Sequence, residues 1–353
     1  MLLHTLAVTA TRLARRDDGD DWHGDENRDC VHQTPGPNGH VDISACNAYY
    51  NYDPQFAPAV AVAVIFGILT GAHIFEAIVF KKRYAWVLIM GGLWETLAFI
   101  IHSVGSRDQQ QIGYATAWQI LFLLAPLWIN AFVYMTFARM VLYWHPEGKV
   151  AGFRAAVIAR WFVLADIVSF IVQGAGGIMA SPDAGATIIR TGLNIYLGGM
   201  ALQQVFIVLF LGLMVAFQRR CARDDRFDGK PNWRPLLYGL YGVLLCITVR
   251  IIFRIAEFAG GITPDNPVPF HEEYSYALDC FPMMVALLIL AVLHPGRYLI
   301  GPESEFPRLS RKEKKALKEE KKAQKQEKKE AKKRAKAEQK AERSGSEDAD
   351  YHA

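Results

Sequence analysis

The sequence predicts an all-α membrane protein, a bundle of seven transmembrane helices, and three observations carry that prediction. Hydrophobic residues make up 52% of the 353 and gather in seven long runs instead of short amphipathic stripes. Lys and Arg concentrate in every second connection between those runs. A few ionisable side chains lie inside the runs, most densely in the RIIFRIAEFAGG stretch with Arg250, Arg254 and Glu257. Charges at that depth cost roughly 2.5–3.5 kcal/mol each unless they face a protein interior or water, which implies a bundle with a polar inside.

Residues 1–56 form a polar segment ahead of the membrane domain. It begins MLLHTLAVTA, which resembles the apolar core of a secretory signal peptide but lacks a basic start; cleavage there is one expectation. Cys30 and Cys46 share this Pro- and Gly-rich segment, where the secretory path permits oxidation, so a Cys30–Cys46 disulfide is expected. Closing a loop of that length stabilises by roughly 3 kcal/mol on the chain-entropy account. Cys221, Cys246 and Cys280 read as small buried apolar residues. No N-x-S/T acceptor for glycosylation occurs in the outer segments.

The membrane domain is expected over 57–300, with spans at 57–80, 84–104, 114–143, 154–180, 190–218, 236–258 and 275–300. Each reaches the roughly 20 residues that cross a bilayer, and the third and fifth are long enough to tilt or project. Gly67 and Gly71, four apart in the first span, permit close packing. Pro126 and Pro282 fall inside the third and seventh spans, where each frees a backbone carbonyl. The turns after the first, third and fifth spans contain Lys81, Lys82, Arg83, Lys149, Arg154, Arg219, Arg220, Arg223, Arg226, Lys230 and Arg234, eleven in all. The alternate turns contain only Arg107 and Arg190. That asymmetry predicts the N-terminus outside and the C-terminus in the cytosol.

Residues 301–353 form the expected cytosolic tail. Positions 308–343 hold 17 Lys/Arg against 7 Asp/Glu, while the chain as a whole is only +4. The stretch 311–343 is rich in the helix formers Ala, Glu and Lys but has no sustained apolar stripe, so a coiled coil is not expected. Emerging directly from the last span, it suits attraction to anionic lipids of the cytosolic leaflet. It lacks the aromatic and base-reading side chains that nucleic-acid binding requires.

Inside the spans the acids are Glu76, Glu95, Asp166, Glu257 and Asp279, and the deep bases are Arg250 and Arg254. Arg139 and Arg160 lie nearer the ends and snorkel. Arg250, Arg254 and Glu257 share one helix face. With Asp279 they are expected to form a structural ion-pair network that holds the sixth and seventh helices in register. Glu95 and Asp166 have fewer evident basic partners and are expected, with Gln173 and Gln203, to line a path for a polar headgroup. An acidic, partly wet path suits a single-chain amphiphile with an amine head, whose tail stays in lipid while the amine crosses. A zinc hydrolase built from His73, Glu76, His102, Asp166 and His294 is disfavoured. His102 and His294 count out at opposite faces, and zinc ligands must lie within about 2.0–2.2 Å of one ion. No GxxxxGK[ST] loop and no nucleophile signature is present, so neither a cofactor nor enzymatic activity is expected.

Read in order, the polar marks are His73; Glu95; Ala125-Pro126, Tyr134 and Arg139; Asp166, Gln173, Gly176 and Gly177; Gly199 and Gln203. RIIFRIAEFAGG, His271, Glu272, Tyr276, Asp279 and the HPG at 294–296 follow. This series resembles the fungal lipid-translocating exporter family, the RTA-like proteins associated with resistance to aminocholesterol and similar toxic amphiphiles. The resemblance covers about residues 49–297, and the combined pattern of the last three spans is its most specific part. One departure is that Glu95 precedes TLAFIIHS, where the family commonly has Gly-Tyr and an Arg. The resemblance implies a seven-span plasma-membrane or vacuolar protein that moves, or regulates the movement of, sphingoid bases or amine-headed sterols. The alternative from the residues alone is a seven-span receptor for a lipid or amphipathic ligand, with the basic inner loops as a docking surface.

Overall fold

A computed structural model describes residues 31–43, 45, 47–145, 147–180, 186–223, 230–261 and 266–306, and also 319, 326 and 327. The chain divides into two units, Met1–Glu305 and Phe306–Ala353. Cys30 and Cys46, the signal-like start and nearly all of the 311–343 tail lie outside the described residues.

Among the described residues the first unit contains seven helices long and apolar enough to span a membrane. They are α1 Phe56–Phe80, α2 Trp86–Gly105, α3 Ile112–Trp144, α4 Ala155–Met179, α5 Ala186–Arg223 and α6 Arg234–Ala259. The seventh, α7, is composite: α-helical Glu272–Ser275, a π-helical turn Tyr276–Cys280, and α-helical Phe281–Val292. Lipid offers no hydrogen bonds, so these apolar runs satisfy their backbones internally as helices. At 33 and 38 residues, α3 and α5 reach about 50 and 57 Å, well beyond the roughly 30 Å hydrocarbon core.

Each helix packs on its neighbours in sequence, α1 closes onto α7, and α3 also touches α5 and α6. The central α3 and α6 are the most buried spans and α4 is the least. The Lys/Arg-rich turns after the first, third and fifth spans fall at one end, termed the basic end. There α3 and α4 are joined by a two-stranded hairpin, β1 Lys149–Val150 and β2 Phe153–Arg154, whose turn residues Ala151 and Gly152 both have positive φ.

At the opposite end the N-terminal segment is held down by side chains. Gln109 donates to Asp53 at 2.8 Å, and Gln110 donates to the Gly39 carbonyl at 2.7 Å. The Gln55 amide donates to Glu272, at the start of α7, at 3.0 Å. Burial, with Asp108 and Glu272 nearby, pushes the Tyr50 hydroxyl well above its ordinary pKa.

Candidate functional site

The polar interior begins with Pro126. Proline has no N–H, so the Phe122 carbonyl four residues earlier in α3 loses its helical donor. Arg250 of α6 supplies the replacement, donating from Nη2 at 3.0 Å, while its guanidinium lies 4.6 Å from the Phe122 ring centroid. The same Arg250 meets Asp279 through Nε at 2.9 Å. Arg254, one turn on, pairs with the other Asp279 oxygen and with Glu257 at 2.9 Å. The four expected network residues therefore do meet, and Asp279 is shared by two arginines. Its position falls on the π-helical turn, where the Phe281 amide donates to Tyr276 just before Pro282. Such turns re-aim a side chain by adding one residue to the helix.

Glu95 departs from the sequence expectation. It does not stand with Asp166 as an acidic pair remote from bases; its Oε1 lies 3.7 Å from Arg250 Nη1, and it is fully buried. Neither of its oxygens accepts a hydrogen bond from any of the described residues. By sign alone Glu95 is one of four candidate partners for the sixth-span arginines, with Asp279, Asp166 and Glu76; the sequence does not say which of them α1, α2, α4 or α7 turns toward α6. The cluster thus contains three carboxylates and two guanidiniums, with Glu95 as the loosely held member.

Asp166, 3% exposed, forms a second centre between α3 and α4. Asn130 Nδ2 and Tyr134 OH both donate to its Oδ2 at 3.0 Å. Among the described residues its Oδ1 has no hydrogen-bond partner, nor has the Asn130 carbonyl oxygen or the Ser169 hydroxyl. Asn130 and Tyr134 are the residues that sequence reading left without a role. Their four-residue spacing, which puts both on one face of α3, was the available signal.

Gln173 donates to Gln203 at 3.1 Å, linking α4 to α5. Both line a cavity of about 30 Å³, together with Tyr196, Pro126, Arg250 and Arg254. That is room for one or two waters. The expected acidic wet path is therefore divided: this cavity is lined by arginines and amides, and neither Glu95 nor Asp166 is among its lining residues.

Two further polar groups close the ends. Near the basic end, His73 donates from Nε2 to the Leu287 carbonyl at 3.1 Å, and Glu76 meets Arg297 at 3.4 Å. His294 stacks on Phe80 at 4.9 Å and accepts from the Gly296 amide, so the HPG turn is a tight seat against α1. A Cβ on Gly296 would lie 2.4 Å from the Phe80 Cβ. At the other end Glu272 accepts from His102 and from Tyr276, both at 2.9 Å, and His102 stacks on Trp118 at 4.0 Å. Among the described residues no three His, Cys, Asp or Glu side chains are grouped to hold a metal ion.

A profile of the RTA1-like protein family matches residues 88–301. The chain is 43% identical over 295 residues to the probable lipid transporter atnI of Emericella nidulans, covering 81% of this chain and 77% of that protein. It is 23% identical over 296 residues to the sphingoid long-chain base transporter RSB1 of Saccharomyces cerevisiae, covering 72% and 75%. Protoporphyrin uptake protein 1 of the same yeast is 27% identical over 206 residues, covering 57% and 65%. No solved structure matches the chain.

Proposed function

The chain belongs to the RTA1-like protein family, and from that premise we propose that it translocates single-chain, amine-headed lipids or similar amphiphiles across a membrane. The names of two relatives, a lipid transporter and a sphingoid-base transporter, support the substrate class. The observation that carries the mechanism is Asp166. Both donors that reach it, Asn130 and Tyr134, are spent on one oxygen, which leaves Oδ1 open in the bundle interior near mid-span. An ammonium entering hydrocarbon loses its hydration, and a carboxylate with a free lone pair replaces part of it. The alkyl chain needs no such help and remains in lipid. Gln173 and Gln203 add neutral polar groups, with the small cavity beside them, while the Arg250–Asp279–Arg254 network fixes α6 and α7 as the frame.

In this reading the basic end faces the cytosol, the N-terminal segment lies outside, and the protein works in the plasma membrane. The 311–343 tail rests on anionic lipid. The activity is transport and not catalysis, in keeping with the relatives' names.

Cells lacking related transporters and expressing this chain provide the test. The wild type is expected to raise export of, and resistance to, a toxic long-chain amine. Asp166→Asn should keep normal abundance and lose most of that protection. Full protection by a well-expressed Asp166→Asn protein would remove Asp166 from the path.

A further inference from the structure

Helices α4 and α5 touch at one end and part at the other. Toward the N-terminal end of the bundle their backbones are in contact through glycine. A Cβ on Gly176 would lie 2.4 Å from the Tyr196 amide nitrogen, and one on Gly192 2.6 Å from the Ala180 nitrogen. Toward the basic end the facing residues are large, and the helices leave a cleft open to the surroundings. It consists of two contiguous chambers of about 390 and 320 Å³ that share Trp161, Phe162 and Leu209. Along α4 it runs from Val157 to Val168, and Phe153 of β2 closes it at the basic end. Eleven residues at 1.5 Å each is about 16 Å, about half the hydrocarbon depth.

The lining is aliphatic and aromatic throughout, and each chamber is of the size that holds a small molecule. The chambers follow one another along α4 and α5 as one track. The track passes close to the polar centre. Ala165 lines it, and the next residue, Asp166, is turned into the bundle. Phe162 belongs to both sides: it lines the cleft, and its ring lies 5.5 Å from that of Tyr134, whose hydroxyl donates to Asp166. A single aromatic ring thus stands between an apolar groove and the partner of an open carboxylate oxygen.

We infer that the cleft between α4 and α5 is the binding groove for the alkyl chain of a single-chain, amine-headed amphiphile, held with its amine at the level of Asp166. The inference rests on the headgroup role proposed for Asp166 and adds where the tail lies and from which side the molecule arrives. The groove occupies the half of the bundle nearest the basic end, so substrate is taken sideways from the leaflet at that end. Phe162 is the residue that must turn aside for the amine to reach Oδ1.

Purified full-length protein in phospholipid vesicles, labelled with a long-chain alkyl amine carrying a diazirine in its chain, tests this. Label is expected in peptides spanning 153–168 and 206–213. Ala165→Trp and Leu209→Trp fill the groove at positions where a large apolar side chain faces lipid, and each should reduce that label roughly tenfold. Ile68→Trp, on an exposed face of α1, should not change it. Asp166→Asn should bring the amine probe down to the level of the same chain with a neutral hydroxyl head. Label spread evenly over the exposed faces of all helices, or unchanged in both groove variants, overturns the inference. Groove labelling without any transport in the same vesicles would defeat the translocator reading and leave the groove standing. Transport that persists in Ala165→Trp without groove labelling would do the reverse.

Discussion

Asp279 is the residue on which the frame depends, because two guanidiniums from α6 converge on its two oxygens. Removing one partner of a buried pair costs about 3–5 kcal/mol, and here two cations lose the same counter-charge. Asp279→Asn is therefore expected to lower the unfolding temperature and the folded yield in detergent, by the largest margin of any single carboxylate in the cluster. Glu95→Gln should behave differently. Glu95 accepts no hydrogen bond and its pairing distance to Arg250 is 3.7 Å, so the amide leaves two carboxylates for two guanidiniums. Its loss of stability is expected to be clearly smaller than that of Asp279→Asn, because a carboxylate buried without a hydrogen bond carries a desolvation cost that the amide lowers. A loss as large as that of Asp279→Asn would mean that Glu95 is a full member of the frame. The composition of this cluster was largely legible in the sequence, since charges cannot lie in lipid unpaired and few candidates of opposite sign exist. The place of Glu95 was not, because which face α2 turns toward α6 depends on packing between segments far apart in the chain. The donors to Asp166 were half visible, as an Asn and a Tyr four apart.

At the scale of the element, the helices were legible because bilayer thickness fixes their length, and their described limits differ from the expected ones by only a few residues, except at the basic end, where α5 runs on to Arg223 instead of 218 and α7 stops at Val292 instead of 300. The prolines announced sites of interest without saying what would happen there. One leaves a carbonyl for Arg250, and the other follows the π-helical turn that bears Asp279. The glycines of α4 separate by context in a way no sequence reading could provide. Gly176 meets the α5 backbone, whereas a Cβ on Gly174 would find nothing within 4 Å. Gly176→Ala is expected to destabilise by about 1–3 kcal/mol through overpacking, since backbone atoms cannot move aside as a side chain would. Gly174→Ala should be neutral or stabilise by up to about 1 kcal/mol, from helix propensity alone. Thermal unfolding of the two variants in the same detergent decides this, and equal shifts would contradict the contact between α4 and α5.

For the whole molecule the loops settle which way the chain is expected to insert. With eleven Lys/Arg at one end against two at the other, a tag at residue 265 should be accessible outside intact cells and a tag at residue 330 should not. Reversed accessibility would put the α4–α5 groove in the other leaflet. The docking of the N-terminal segment was not legible, because it is made of individually ordinary pairs such as Gln109 with Asp53, 56 positions apart. The central claim is that this seven-helix bundle alone carries an amine-headed single chain past Asp166. Purified protein in vesicles of neutral phospholipid, with transbilayer movement of a headgroup-labelled long-chain amine followed over time, tests it most directly. The account predicts movement faster than in protein-free vesicles, little acceleration of a neutral-headed chain of the same length, and most of the gain lost in Asp166→Asn. Movement no faster than in empty vesicles, or equal acceleration of both heads in wild type and variant, would contradict it.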